Sequence, residues 1–410
     1  MRSICFICLL LLGHVDSYAQ GKQTSKQPQQ KTPSVRQQQE KSRDQLARDT
    51  QWQPIIEMDK LIFPSMILAT ATIKQSSASP TYVGDAYGLF GISITSPKDD
   101  CLVDLTIQVD EIASPAIYEA TLPRKGVTYE IFPPLEYRFD RLIRVIQPFP
   151  INIVFKVKVD GGPLMTVAHR AQVRPINECP FAWRHRTGPV QQQGWMFAAY
   201  VNEDHPWIEG LLNEAINTGV VNRFVGYQGS RNDVITQVFS IWNVLQRRGF
   251  KYSSITTTSA LSNNVFSQRV RFLSDSIKTS QANCVDGSVL FASVLRKIGL
   301  DVFLVLQPGH CFLGFWLDSQ HQNSMFLETT MLGNTNLQNY GEDGTLRGAL
   351  AELLGHNTRN QASFQSFSAA TTVGLQKARS VSPAEARTNS QYQMVDISEA
   401  RKRGISPLAW

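Results

Sequence analysis

QANCVDGSVLFASVLRKIGLDVFLVLQPGHCFLGFW spans residues 281–316, and its reading decides what the C-terminal half of the chain is. Leu290, Val294, Leu295 and Ile298 recur at helical spacing, and Gly299 ends the run. LDVFLVLQ is apolar and β-branched enough for a buried strand. Pro308-Gly309 turns the chain, and HCFLGFWLD reads as a second strand. SMFLETT, a few residues on, reads as a third. A cysteine therefore stands at the start of a helix, and His310 opens a strand directly after a tight turn.

The chemistry of that placement is specific. A sulfur at a helix N-terminus sits at the positive end of the helix dipole, which favours the thiolate. A free thiol titrates near about 8.5, and a helix N-terminus with a nearby imidazolium brings it several units lower. Neighbouring strand residues face opposite ways. If His310 faces a cleft, Cys311 faces the core, a poor disulfide partner for Cys284 and a poor co-ligand with His310. A zinc set of Cys284, His310, Cys311 and His321 also lacks the usual ligand pairs. A Cys–His pair works best when a third group orients the imidazole. Glu328 in FLETT, on the next antiparallel strand, is preferred for this to Asp318, which falls at a strand end. Asp286 is read as a structural acid in the first helical turn.

A cysteine at a helix start with Asp two residues on, LFASVLRKIGLDVFLV, a Gly-His strand and an acid-x-Thr together resemble the transglutaminase-like (papain-like cysteine) superfamily. The helix ending in GFKYSS resembles the stretch that precedes the cysteine there. The likeness covers roughly residues 230–335. It implies an α+β domain with Cys284 as nucleophile, His310 as base and Glu328 in place of the usual Asp. It departs from the family in Asn283 before the cysteine, in Glu for Asp, and in an aromatic residue, Trp316, that comes late after the histidine. The triad needs no cofactor and no metal.

Upstream, residues 59–173 alternate with a period of two. LVDLTIQVDEI places Val103, Leu105, Ile107 and Val109 on one face, and INIVFKVKVDGG does the same with Ile151, Ile153, Phe155, Val157 and Val159. LMTVAHRAQV and YGLFGISITS are further strands, and the set suggests an all-β sandwich over residues 58–176. His169 stands alone on its strand and is read as structural. After Pro175 the period becomes helical. DHPWIEGLLNEAINTG starts near Asp204 and Pro206. DVITQVFSIWNVLQRRGF takes Asp233 as N-cap and Gly249 as C-cap. The expected architecture is multidomain: the sandwich, then a transglutaminase-like domain at 195–345, then a C-terminal extension at 346–410. Residues 357–390 are polar and read as an irregular loop, and the end as a strand and a short helix.

The first residues resemble a secretory leader at 1–19, with Arg2, an apolar run at 4–12 and small residues before a cleavage point after Ala19. Residues 20–57, rich in Gln, Lys and Ser at their start, read as a disordered polar linker. Of six cysteines, Cys5 and Cys8 leave with the leader, and an oxidising compartment allows Cys101 and Cys179 to pair. The net charge of +6 is spread thinly and partly placed in the early tail, so no nucleic-acid surface is expected. No run in the mature chain is long enough to cross a bilayer.

The expectation is an exported protein, periplasmic or extracellular, acting as a cysteine hydrolase on amide or peptide bonds of a protein or peptide, or as a transglutaminase-type acyl transferase. The sandwich would dock the substrate or a cell-envelope component. The alternative is a catalytically inactive binding or scaffolding protein of the envelope.

Overall fold

The computed structural model describes residues 34–73, 79–185, 188–254, 262–334, 336–337, 340, 344–354 and 357–408. The expected leader lies outside the described residues. The described residues form a mixed α/β chain with its strands in several sheets.

Alternation builds the N-terminal half. A five-stranded sheet runs in the order Leu61–Ile62, Met165–Val173, Phe149–Val159, Cys101–Val109, Ala116–Leu122. Val103, Leu105 and Ile107 pair with Val159, Val157 and Phe155, so each pair of apolar residues lands on the same face. Asp160 and Gly161, with φ of 52° and 71°, turn the chain between the two long central strands. A four-stranded sheet runs Trp52–Ile56, Phe90–Thr95, Thr128–Phe132, Tyr82–Gly84. Its Phe90, Ile92, Ile94 and Ile131 share one apolar cluster with the inward residues of the first sheet. His169 packs edge-on against Phe155, ring centroids 6.4 Å apart.

Of the disordered linker expected over residues 20–57, residues 20–33 lie outside the described residues and 34–57 are structured. Val35–Asp49 is a helix, opened by a capping box between Ser34 and Gln37. Ala47 is its buried residue, and it lies where Gly162 has no side chain: a Cβ there would fall 2.8 Å from the Ala47 Cβ. Trp52–Ile56 then pairs with Phe90–Thr95. One buried contact surface was enough to order a segment whose composition alone argued against it.

The C-terminal half is helices on an antiparallel sheet, ordered Ser324–Leu327, His310–Trp316, Val302–Gln307, Gln393–Asp396. The helices Arg231–Arg247, Cys284–Lys297 and Thr358–Arg379 meet at Trp242, whose ring centroid lies 5.5 Å from Phe291 and 5.9 Å from Phe367. The first of these helices begins earlier than its sequence suggested. Ser230 is the N-cap, and Asp233 is the third helical residue that closes the capping box.

The larger correction is at residues 357–390. Thr358–Arg379 is a helix of 22 residues and Pro383–Thr388 a shorter one, where a loop was expected. The long helix buries Ser, Ala, Thr and Gly around Phe364 and Phe367. Its polar side chains are matched: Trp242 Nε1 donates to Ser366 Oγ (2.8 Å), and Arg247 Nη2 to Asn360 Oδ1 (2.6 Å). Strand Gln393–Asp396 completes the sheet beside Val302–Gln307, and Val395 and Ile397 join the hydrophobic core, so the C-terminal segment is part of that core rather than an appendage. Among the described residues no helix is long and apolar enough to cross a membrane.

Candidate active site

The helix Cys284–Lys297 starts where a reciprocal cap starts it. Asp286 N donates to Asn283 Oδ1 (2.8 Å), and Asn283 N donates to Asp286 Oδ2 (3.1 Å). Asp286 is fully buried and also accepts from Arg271 N (2.8 Å), with Arg271 Nη1 at 3.3 Å. Burial holds its carboxyl above the usual range, against those bonds and the guanidinium charge. Asn283 is thus the residue that fixes where the helix begins. Cys284 is the first helical residue, half-buried.

Two small residues seat that end of the helix against the sheet. A Cβ on Gly287 would fall 2.7 Å from Thr329 Oγ1, so the helix lies against the residue after Glu328. Ser288 Oγ donates to Cys284 O within the helix (2.7 Å) and lies 3.5 Å from Thr329 Oγ1. Strand pair Lys251–Tyr252 and Gln281–Ala282 runs parallel just before the cysteine. The half-exposed Tyr252 stands near both Cys284 and Glu328; burial and then those two charges push its phenol above its ordinary value.

His310 and Glu328 meet across the sheet. Leu313 pairs with Leu327, so one more step of that register puts Glu328 opposite Phe312 and diagonal to His310 on the same face. His310 Nε2 lies 2.6 Å from Glu328 Oε2. The other carboxylate oxygen accepts from Thr330 N (3.1 Å) and Thr330 Oγ1 (2.7 Å). The Cys284 side chain is near enough to His310 to help raise its pKa. With Nε2 turned to Glu328 and Lys377, the other ring nitrogen is the one left for the Cys284 side.

The electrostatics follow from burial against partners. Burial disfavours the charged ring of His310, but the bonds to Cys284 and Glu328 and the Glu328 charge outweigh it. They lift its pKa to about 9, with the Lys377 charge pulling the other way. Burial likewise opposes the Glu328 carboxylate. The His310 bond and charge, then Lys377 and Thr330, outweigh it and bring the pKa to about 2.

Lys377 was not found from sequence. It sits in the last turn of Thr358–Arg379, inside the segment read as a loop. Its Nζ lies 2.8 Å from His310 Nε2 and 2.9 Å from Glu328 Oε2. The signal that was available is modest: Asn357 as a cap, and Phe364 and Phe367 three apart.

The other candidates separate from this cluster. Asp318 accepts from Gln322 N (2.8 Å) and Asn323 Nδ2 (2.9 Å) and so closes a turn away from His310. His321 stacks on Trp316 with ring centroids 4.7 Å apart and meets Asp301 at 2.9 Å. Cys311 is buried beside the helix start, and burial and then the Cys284 charge push its thiol well up. Cys101, Cys179, Cys284 and Cys311 are all free thiols, so the allowed Cys101–Cys179 pairing is not formed. Among the described residues no three His, Cys, Asp or Glu side chains gather as a metal site requires. A cleft of about 1210 Å³ opens elsewhere, between the N-terminal sheets and strand Gln393–Asp396. Tyr82, Tyr87, Trp183 and Trp195 line it, and none of Cys284, His310 or Glu328 does. No protein-family model matches the chain, and none of the curated proteins matches it.

Proposed function

We propose that the protein is an exported, transglutaminase-like cysteine hydrolase acting on amide or peptide bonds. The observation that carries the reading is the 2.6 Å contact of His310 with Glu328, beside a helix-initiating Cys284 that acts on the His310 titration. That is the constellation acyl transfer through sulfur needs: a nucleophile, a base in contact with it, and a group that orients the base. The resemblance of residues 230–335 to the superfamily supports the same assignment, with Glu328 in place of the usual Asp. The N-terminal sheets would then form a sandwich that docks substrate or an envelope component.

In this mechanism His310 takes the thiol proton, and the Cys284 sulfur attacks the carbonyl carbon. Backbone N–H groups at the start of the helix face the oxyanion. The C–N bond breaks as His310 returns a proton to the leaving amine, which leaves a thioester on Cys284. Water, deprotonated by His310, then releases the acid. An amine in place of water would make a crosslink. Glu328 holds the ring and stabilises the imidazolium formed in both half-reactions. No step calls on a metal or a cofactor.

The test is alkylation of the mature protein with iodoacetamide, read by mass spectrometry at each cysteine. Cys284 is expected to label ahead of Cys101, Cys179 and Cys311, and His310→Ala to slow it at least about tenfold. Equal, slow labelling of all four would remove the nucleophile. The aromatic-lined cleft remote from Cys284 favours the second reading, a binding or scaffolding protein, and that result would select it.

A further inference from the structure

Three atoms crowd one edge of the site. His310 Nε2, Glu328 Oε2 and Lys377 Nζ form a triangle with sides of 2.6, 2.8 and 2.9 Å. A ring nitrogen has one in-plane position. It carries a proton and donates, or it carries a lone pair and accepts. So Nε2 either donates to Glu328 or accepts from Lys377, never both. We propose that Lys377 is a positioning residue that competes with Glu328 for Nε2 of His310. It weakens the ring's hold on its proton and decides which nitrogen keeps the proton that remains. The inference deepens the reading above, since it concerns the proton that the proposed acid and base must move.

The placement is built by the fold. Ala370, Gly374 and Lys377 lie at i, i+4 and i+7, one face of the long helix. Glu328 N donates to Ala370 O (3.0 Å). A Cβ on Gly374 would fall 2.9 Å from the Phe326 carbonyl carbon and 3.0 Å from Leu327 N, so glycine is what lets the helix lie on the strand. Gln307, paired with His310 across the hairpin, donates its Nε2 to Lys377 O (3.0 Å) and pins the helix end. A cation in the last turn is also favoured by the helix dipole.

Each protonation state of His310 then has its own partner. In the imidazolium, Nε2–H donates to Glu328, and the ammonium beside it opposes the charge. That repulsion eases transfer of a proton to a leaving amine, because a ring held only by Glu328 and Cys284 would keep it. In the neutral ring, Lys377 donates to Nε2 and the remaining proton sits on the nitrogen that faces sulfur; this form steadies a thiolate but cannot take a proton from thiol or water, for which Nε2–H must return to Glu328. The charged and titratable groups around the ring are Cys284 from the helix start, Glu328 from the strand end and Lys377 from the C-terminal helix. Tyr252 stands next to the first two.

The experiment is ¹⁵N NMR of imidazole-labelled full-length protein, with the His310 signal assigned by His310→Gln. Ring nitrogen shifts report both the titration midpoint and the neutral tautomer. Lys377→Met is expected to raise the midpoint by about one pH unit and to move the neutral proton onto Nε2. Lys377→Arg, which keeps the charge, is expected to restore most of the midpoint. An unchanged or lowered midpoint in Lys377→Met overturns the inference. Iodoacetamide labelling of Cys284 in the same variants keeps the two claims apart. A shifted midpoint over an unreactive sulfur defeats the hydrolase and leaves Lys377 its role. A reactive sulfur over an unmoved midpoint does the reverse.

Discussion

At the scale of the residue, His310 and Glu328 are each charged against their own burial, and that makes the site sensitive to pH. A group whose pKa rises on folding adds stability below its unfolded pKa and loses it as pH climbs through the folded value. For His310 that loss runs from 6.5 to about 9. A group whose pKa falls on folding behaves oppositely, and for Glu328 the loss runs from 4.5 down to about 2. The pair therefore stabilises fully only between those unfolded values of 4.5 and 6.5. The difference in urea midpoint between wild type and Glu328→Gln should peak there and shrink toward alkaline pH. A flat difference from about pH 5 to about pH 9 would contradict it. Asn283 belongs to the same scale. Asn283→Ala removes the helix cap, leaves Asp286 short of a partner, and should cost about 1 kcal/mol by chemical denaturation.

At the scale of the element, the helix ends do most of the positioning. Cys284 is exposed to its partner because a capping box starts the helix one residue before it. Lys377 reaches the imidazole because Gly374 leaves room for the helix to touch the strand. Gly374→Leu should push the helix away and destabilise the fold by about 1–3 kcal/mol. It should also move the His310 titration in the same direction as Lys377→Met. A variant that loses stability with an unmoved His310 would show that the helix and the site are not coupled.

At the scale of the whole molecule, residues 357–408 complete the C-terminal side of the hydrophobic core. Phe367 is fully buried between Phe239 and Trp242, with ring centroids 5.5 and 5.9 Å away. Phe367→Ala should cost about 3–5 kcal/mol. Ending the chain at residue 356 should remove cooperative unfolding of the C-terminal half, seen as loss of its slowest-exchanging amides. If those amides keep their protection, the long helix is dispensable to the core.

The local elements around the site were legible because each is announced by its own residues. An apolar, β-branched run named the strand at 302–307, Leu290, Val294, Leu295 and Ile298 the helix, and Pro308-Gly309 the hairpin. The choice of Glu328 over Asp318 followed from the same logic, since only a residue beside the His310 strand can share its face. What the sequence by itself determined was therefore local: periods, caps and turns, and the residues they place at element ends. Only the tertiary structure decided the rest. The helix at Thr358–Arg379 has no aliphatic stripe, because its buried polar residues are satisfied by another helix, Arg231–Arg247, far away in the chain. Lys377 looks like any surface lysine until that packing brings it 2.8 Å from His310. Side-chain period reports what a segment buries against an apolar neighbour. It is silent where the neighbour is polar and matched in space.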